Sequence, residues 1–318
     1  MRMTIIICTH NPREDYLRRT LDALQQQTLP KDKWELLLID NASINPLVGQ
    51  WDLCWHPHAR HVREDELGLT PARLRGISDA GCELLVFVDD DNVLNPEYLA
   101  TALAIAERHP MVGAFNGSII GEFEQEPEEA VRFMLPTLAV REIQDVAWAC
   151  QPGTQAIACA PCGAGMVIRR EVAKTYAVKV NSDPVRKSLD RKGTALTSAG
   201  DSDMALCACA MGMGVGLFPE LVMKHLIPKE RLEQSYLIRL AEGMSQSQAI
   251  LRYIWDKKIP KVRELSCRSE RLMHAYHVLR VRICGSPEEK FRYEIRAASL
   301  RGEIQALNVL DKCRASLY

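Results

Sequence analysis

The chain has 318 residues, 47% apolar and 25% charged, the composition of a globular protein with a proper core. Its net charge of -1 conceals an asymmetry: residues 251–318 carry 15 Lys+Arg against 8 Asp+Glu, and the rest carry 25 against 33. No stretch reaches the ~18 apolar residues that a membrane-spanning helix needs. The eleven cysteines are odd in number and irregularly spaced, so a reducing, cytoplasmic setting is a simpler reading than a disulfide framework.

The N-terminus enters a strand-like run at once, Thr4-Ile5-Ile6-Ile7-Cys8, without signal-peptide architecture. Asn11-Pro12 breaks the run, and Tyr16, Leu17, Leu21 and Leu24 follow at helical spacing. Glu35 to Ile39 predicts a second buried strand ending at Asp40-Asn41. Thr70-Pro71 reads as an N-cap with proline at the first helical position. Leu84 to Val88 predicts a third apolar strand, which runs into Asp89-Asp90-Asp91, and Pro96 opens a helix through Ala106. This β-α-β-α order predicts an α/β fold with a mostly parallel, doubly wound sheet. Ligands of such sheets bind beyond the carboxyl ends of the strands, where this chain places Thr9, Asp40 and the Asp89–Asp91 run.

Residues 121–163 are poorly periodic and read as excursions around that site; 177–198 are polar and read as a loop. Val215 to Val222 predicts a late strand closed by Met223-Lys224-His225. Beyond Pro228 the pattern is helical, with Leu237, Leu240 and Met244, and later Leu272, Tyr276 and Leu279. The expected division is 1–231 for the α/β domain and 232–318 for a basic helical extension.

Three carboxylates at the end of a buried strand repel one another and lose hydration, a costly arrangement unless a cation compensates it. The alternative is a solvated acidic turn, since Asp, Asn92 and Pro96 all suit turns. Cys159-x-x-Cys162 has no second pair at zinc-ligand spacing. His56, His58 and His61 lack a carboxylate at ligand spacing and read as loop residues.

Four segments decide between these readings. Ile5 to Arg13 with Tyr16 to Leu21, Leu37 to Ser43, Gly68 to Arg73 and Val86 to Asn92 stand in the order and spacing of glycosyltransferase family 2, which the first 231 residues resemble. The resemblance implies the GT-A nucleotide-binding fold, a nucleotide diphosphate-sugar donor (a UDP-sugar first), an acceptor hydroxyl and a Mn2+ or Mg2+ ion. It assigns Asp40 to the uracil N–H and Thr9 and Asn11 to the base and ribose. Arg73 falls near the base or diphosphate, Asp89 and Asp90 near ribose and phosphates, and Asp91 on the metal. Pro161 to Glu171 resembles the small-residue segment beside the donor sugar, with Gly163 in the donor site. Family members carry Glu-Asp where this chain has Gly200-Asp201. The ungapped match makes Asp201, rather than Asp203, the catalytic base. His225, following a late strand, is then a second metal ligand. Leu226 to Arg231 with Tyr236-Leu237 resembles members that build bacterial exopolysaccharides.

Two other readings compete. A sugar nucleotidyltransferase needs a Gly-rich phosphate loop after the first strand, and Thr9 to Arg13 has no glycine. A nucleotide-sugar-binding or interaction protein would account for the absent Glu at 200, but not for the carboxylates at 89–91 and 201. The basic 251–318 section suits anionic lipid headgroups, which would bring a lipid-linked glycan acceptor to the inner face of a membrane. It equally suits another anionic partner such as nucleic acid, or packing between subunits.

Overall fold

A computed structural model describes residues 1–191, 193, 195–259, 276, 279 and 286–315. The predicted apolar runs are strands β1 (Met3–Thr9), β2 (Trp34–Asn41) and β4 (Leu84–Asp89). Their continuous burial explains why they read as unbroken apolar runs: every residue of β2 is buried, as are Leu84 to Val88 of β4. With β3 (Ala59–Glu64) they form the parallel half of the sheet, in the order β3-β2-β1-β4. The sheet continues through β8 (Val167–Arg169), β6 (Val112–Phe123), β9 (Gly214–Ile227) and β5 (Asn92–Leu94), and β7 (Ala147–Ala149) pairs β9. These additions are antiparallel where β4 meets β8, β8 meets β6 and β9 meets β5 and β7.

Helices α1 (Glu14–Gln25), α2 (Leu69–Asp79), α3 (Tyr98–Arg108), α4 (Arg170–Ser182) and α5 (Gly200–Ala210) alternate with the strands. Three boundaries differ from expectation. The N-cap of α2 is Gly68 at φ 145, not Thr70, because only a residue without Cβ readily holds that backbone. The segment after 177 stays helical to Ser182, since Val172, Ala173, Tyr176 and Val180 keep one buried face. Strand β9 does not stop at Val222 but carries His225 inside it, opposite Asn92 of β5.

The chain forms two compact units. The first comprises Met1–Glu122, Ala139–Ser182 and Asp201–Ile227; the second comprises Phe123–Leu138, Asp183–Gly200 and the described residues from Pro228 onward. The second unit is therefore more than a C-terminal tail, since two segments from the expected α/β part belong to it. It is built on α6 (Gln234–Asp256) and α7 (Pro287–Ala315), which approach so closely that a Cβ at Gly302 would collide with the Glu242 carbonyl. Arg301 also pairs with Glu242 at 2.9 Å, and Phe133 meets Phe291 edge-on at 5.6 Å. Leu272 lies outside the described residues, as does much of the basic 251–318 section; Tyr276 and Leu279 are exposed. No described helix is long and apolar enough to cross a membrane.

Candidate active site

Thr9, Asn11, Asp40 and Asp89–Asp91 stand at the carboxyl ends of β1, β2 and β4, in the first unit, which also holds Arg73, Gly163, Asp201 and His225. Thr9, the last residue of β1, donates its hydroxyl to Asp90, and Thr20 of α1 donates to the Asp90 carbonyl at 3.1 Å. The acidic run is thus held from two neighbouring elements rather than left as a solvated turn. Asn92 turns it: its Oδ1 accepts the Asp89 N–H at 3.0 Å and its Nδ2 donates to Asp91 Oδ1 at 3.0 Å. Asp91 is 6% exposed and His225 7%. His225 Nε2 stands 3.3 Å from Asp91 Oδ2, and the Leu226 N–H donates to the Asp91 carbonyl at 2.9 Å. Two ligand-type side chains, one carboxylate and one imidazole, therefore face each other with little water. Among the described residues no third His, Cys, Asp or Glu completes a protein-only cation cluster.

Asp201 lies in the first turn of α5, half-buried. Its Oδ2 accepts the Gly163 N–H at 2.7 Å and its Oδ1 accepts the Ser202 N–H at 2.8 Å. Asp203 is fully buried, so it is Asp201 that solvent and ligands can approach. Gly163 is the point where three predicted residues meet. A Cβ there would stand 2.5 Å from Arg73 Nη2 and 3.5 Å from Asp201 Oδ2. Arg73, 4% exposed on α2, thus lays its guanidinium against the segment that carries Gly163. Burial pushes the neighbouring Cys162 thiol up; Arg141 opposes this, and the negative charges of Asp201 and Asp89 add to it. Asp201 and Asp89 thus both bear on the Cys162 thiol, beside Gly163.

Three residues of this site were not predicted. Asn116, in the middle of β6 and fully buried, donates from one amide nitrogen to the carbonyls of Cys162 (3.3 Å) and Ala164 (3.1 Å). Its oxygen accepts from Arg141. Tyr98 donates to the Gly165 carbonyl at 2.6 Å. The turn around Gly163 is therefore clamped from β6 and α3. A lone Asn between Phe115 and Gly117 in an apolar run was the available sequence signal.

Asp40 already carries three hydrogen bonds within the protein. Its Oδ1 accepts the Ser43 N–H at 3.1 Å, and its Oδ2 accepts from Leu47 N–H (3.0 Å) and Arg63 (2.7 Å). Burial favours its protonation, but the bonds from Ser43, Leu47 and Arg63 outweigh this and hold its pKa below the usual value. The carboxylate has about four lone-pair sites in all. It pins the 43–47 loop, and a base N–H would have to compete for it. Asn11, at φ 48, is exposed and also braces that loop, accepting the Ile44 N–H at 2.9 Å. In the second unit, the Asp190 carboxylate accepts the Gly200 N–H at 3.2 Å and fills the space of a side chain at 200. A side chain at 200 would therefore have to displace the Asp190 carboxylate.

His56 and His58 lie in the connection between β2 and β3, as expected of loop residues, whereas His61 falls within β3. His56 nonetheless belongs to the packed interior. It is buried, with its ring centroid 4.0 Å from that of Trp34.

The sheet order, the helices around it and the polar cluster at the strand ends define a GT-A type α/β protein. The family model for glycosyl transferase family 2 matches residues 4–175, more than half of the chain, and the chain belongs to that family. The poly(ribitol-phosphate) beta-N-acetylglucosaminyltransferase TarS of Staphylococcus aureus is 26% identical over 112 residues, 34% of this chain and 19% of that protein. Glycosyltransferase AglE of Haloferax volcanii is 28% identical over 92 residues, 28% of this chain and 30% of its own. The matched segments thus span less than a third of either relative. Among solved structures, the mannosyltransferase PcManGT of Pyrobaculum calidifontis, in complex with GDP-Man and Mn2+, superposes with a TM-score of 0.58 at 18% identity. That match covers 96% of this chain and 87% of that one. TarS 1–349 of S. aureus with UDP-GlcNAc gives 0.51 at 13% identity, covering 98% and 92%. These likenesses establish the fold.

Proposed function

We propose that the protein is a metal-dependent, inverting glycosyltransferase that moves a sugar from a UDP-sugar to an acceptor hydroxyl in bacterial polysaccharide or glycoconjugate synthesis. The observation that carries this reading is the meeting of Arg73, Gly163 and Asp201 beside a strand-end carboxylate run whose last member faces His225. The names of the relatives, an N-acetylglucosaminyltransferase among them, support the reaction class. A structural neighbour with GDP-Man and Mn2+ supports a nucleotide-sugar and a cation.

Asp91 and His225 fit a divalent ion such as Mn2+ or Mg2+: they supply an oxygen and a nitrogen ligand and leave further positions to phosphate oxygens. A cation held there supplies charge neutralisation for the departing diphosphate. Asp89 and Asp90, with Thr9 fixing Asp90, border the ribose and phosphates. Arg73 offers a buried cation to the diphosphate. Asn11 and Asp40 shape the base pocket through the loop that they brace. Asp201 takes the proton of the acceptor hydroxyl. The two N–H groups on its oxygens, from Gly163 and Ser202, fix its direction. A single in-line displacement with inversion needs only this base on the acceptor side, and positioning supplies much of the rate.

The test separates base from metal site. Asp201→Asn is expected to lower turnover by roughly 10²–10⁴-fold while the thermal shift with UDP and Mn2+ persists. Asp91→Ala is expected to lose both turnover and the Mn2+-dependent part of that shift. Full turnover in Asp201→Asn refutes the base assignment.

A further inference from the structure

The first unit contains a cavity of about 780 Å3 between α1 and the segment that links β2 to β3. It touches none of Asp89, Asp90, Asp91, Asp201 or His225; what it shares with the proposed donor site is Asn11 and, through Asn45 and Leu47, the outer side of the 43–47 loop. Its lining is amphipathic. Leu21 and Leu47, both buried, give it an apolar floor, and the partly exposed indoles of Trp51 and Trp55 add aromatic surface. From α1, Arg18, Asp22 and Gln25 recur at i, i+4 and i+7, so one helix face points into the cavity.

The polar groups divide into two sets. Some serve the fold: Glu14 pairs with Arg18 at 2.5 Å, Asp52 accepts the Cys54 N–H at 2.8 Å, and Gln50 donates to the Pro46 carbonyl at 2.7 Å. The side chains of Asp22, Gln25 and Asn45 are exposed and make no hydrogen bond to another described residue. The cavity thus presents aromatic surface together with one carboxylate and two amides whose hydrogen-bonding capacity is unspent. Glu14, Asp22 and Asp52 against Arg18 leave the lining at a net charge of -2, which repels phosphates and nucleic acid.

A ligand matched to these features is uncharged, has flat apolar C–H faces for the indoles, and carries a rim of hydroxyls for the carboxylate and amides. That is a sugar ring, and the volume is in the range of a small-molecule site. We propose that this cavity is a glycan-binding subsite that holds a neutral part of the acceptor away from the reacting hydroxyl. The inference rests on the transferase reading. Its benefit would be the use of binding energy from remote, non-reacting sugar units.

The test uses the full chain, with cellotetraose and chitotetraose as probes and tryptophan fluorescence as the readout. Tetramethylammonium chloride serves as a control for a cation-binding aromatic cage. At least one saccharide should give a saturable change. Trp51→Ala should weaken it ~10-fold or more, and so should the exposed-face variant Asp22→Ala/Gln25→Ala, which removes no core contact. The UDP and Mn2+ thermal shift should stay unchanged in both. The proposal is overturned if neither saccharide saturates, if tetramethylammonium alone does, or if Asp22→Ala/Gln25→Ala binds as the parent does. Loss of the UDP shift in the parent chain would sink the transferase reading instead, so the two failures are distinguishable.

Discussion

Gly163 shows how one residue's lack of a side chain organises a site. Its N–H orients Asp201, and the space where a Cβ would stand is taken by Arg73. Gly163→Ala must displace either the buried guanidinium or the turn. Overpacking of this kind costs about 1–3 kcal/mol, and here the strain falls together on Asp201 and Arg73, the proposed base and the proposed diphosphate-side cation. The expected outcome is a lower melting temperature and a loss of turnover larger than the stability change explains, read at a temperature where the variant is fully folded. Parental turnover would show that Arg73 and Asp201 need no shared support. His56 offers a second residue-scale prediction. Burial, helped by the charges of His58 and Lys31, lowers its pKa from 6.5 to about 4. Its Nδ1 accepts the His58 N–H, and its buried Nε2 has no hydrogen-bond partner among the described residues. A folded pKa below the unfolded one means that the stability contribution is complete above pH 6.5 and declines as pH falls toward 4. The full loss is on the order of 3 kcal/mol. Urea midpoints measured across that window should fall in the parent chain and flatten in His56→Phe.

At the scale of elements, the site depends on antiparallel strands grafted onto a parallel core, and this divides what the sequence discloses from what it conceals. Strands β1, β2 and β4 are buried on both faces, so they read as apolar runs, and their terminal Thr9, Asp40 and Asp89–Asp91 stand out against them. Local pattern was enough for them. Asp91 and His225 are 134 positions apart and meet only because β5 pairs with β9, a register that short-range periodicity does not encode. The work of Asn116 is likewise tertiary: β6 places its amide against the carbonyls on either side of Gly163. Asn116→Ala leaves those carbonyls and Arg141 short of a partner, at about 1–3 kcal/mol. If the amide positions the Gly163 turn, kcat should fall about ten-fold or more at a temperature far below the melting point, with the UDP shift retained. A variant that is merely less stable, with kcat intact, would reduce Asn116 to a core residue. The polar stretch after 177 misled for the complementary reason. Its exposed face outnumbers the buried Val172, Ala173, Tyr176 and Val180 that keep it helical.

The whole molecule carries its charge unevenly, +7 over residues 251–318 and -8 elsewhere. Attraction of basic residues to an anionic membrane surface is worth about 1 kcal/mol each near the headgroups, so a few suffice for reversible binding. The described part of that section shows where to intervene. Lys290 and Arg296 are exposed on α7, whereas Arg292 and Arg301 are engaged by Glu288 and Glu242. If this section brings a lipid-linked acceptor to the enzyme, the chain should sediment with phosphatidylglycerol vesicles at low salt. It should remain in the supernatant with phosphatidylcholine vesicles. At 1 M salt, where the screening length shrinks to about 3 Å, the binding should vanish. Lys290→Glu/Arg296→Glu should lose most of it and keep full turnover on a water-soluble acceptor, because neither residue belongs to the proposed site. Equal sedimentation of parent and variant would take these two cations out of the membrane contact. Binding that survives both the variant and high salt would mean that apolar insertion, not charge, holds the protein to the lipid.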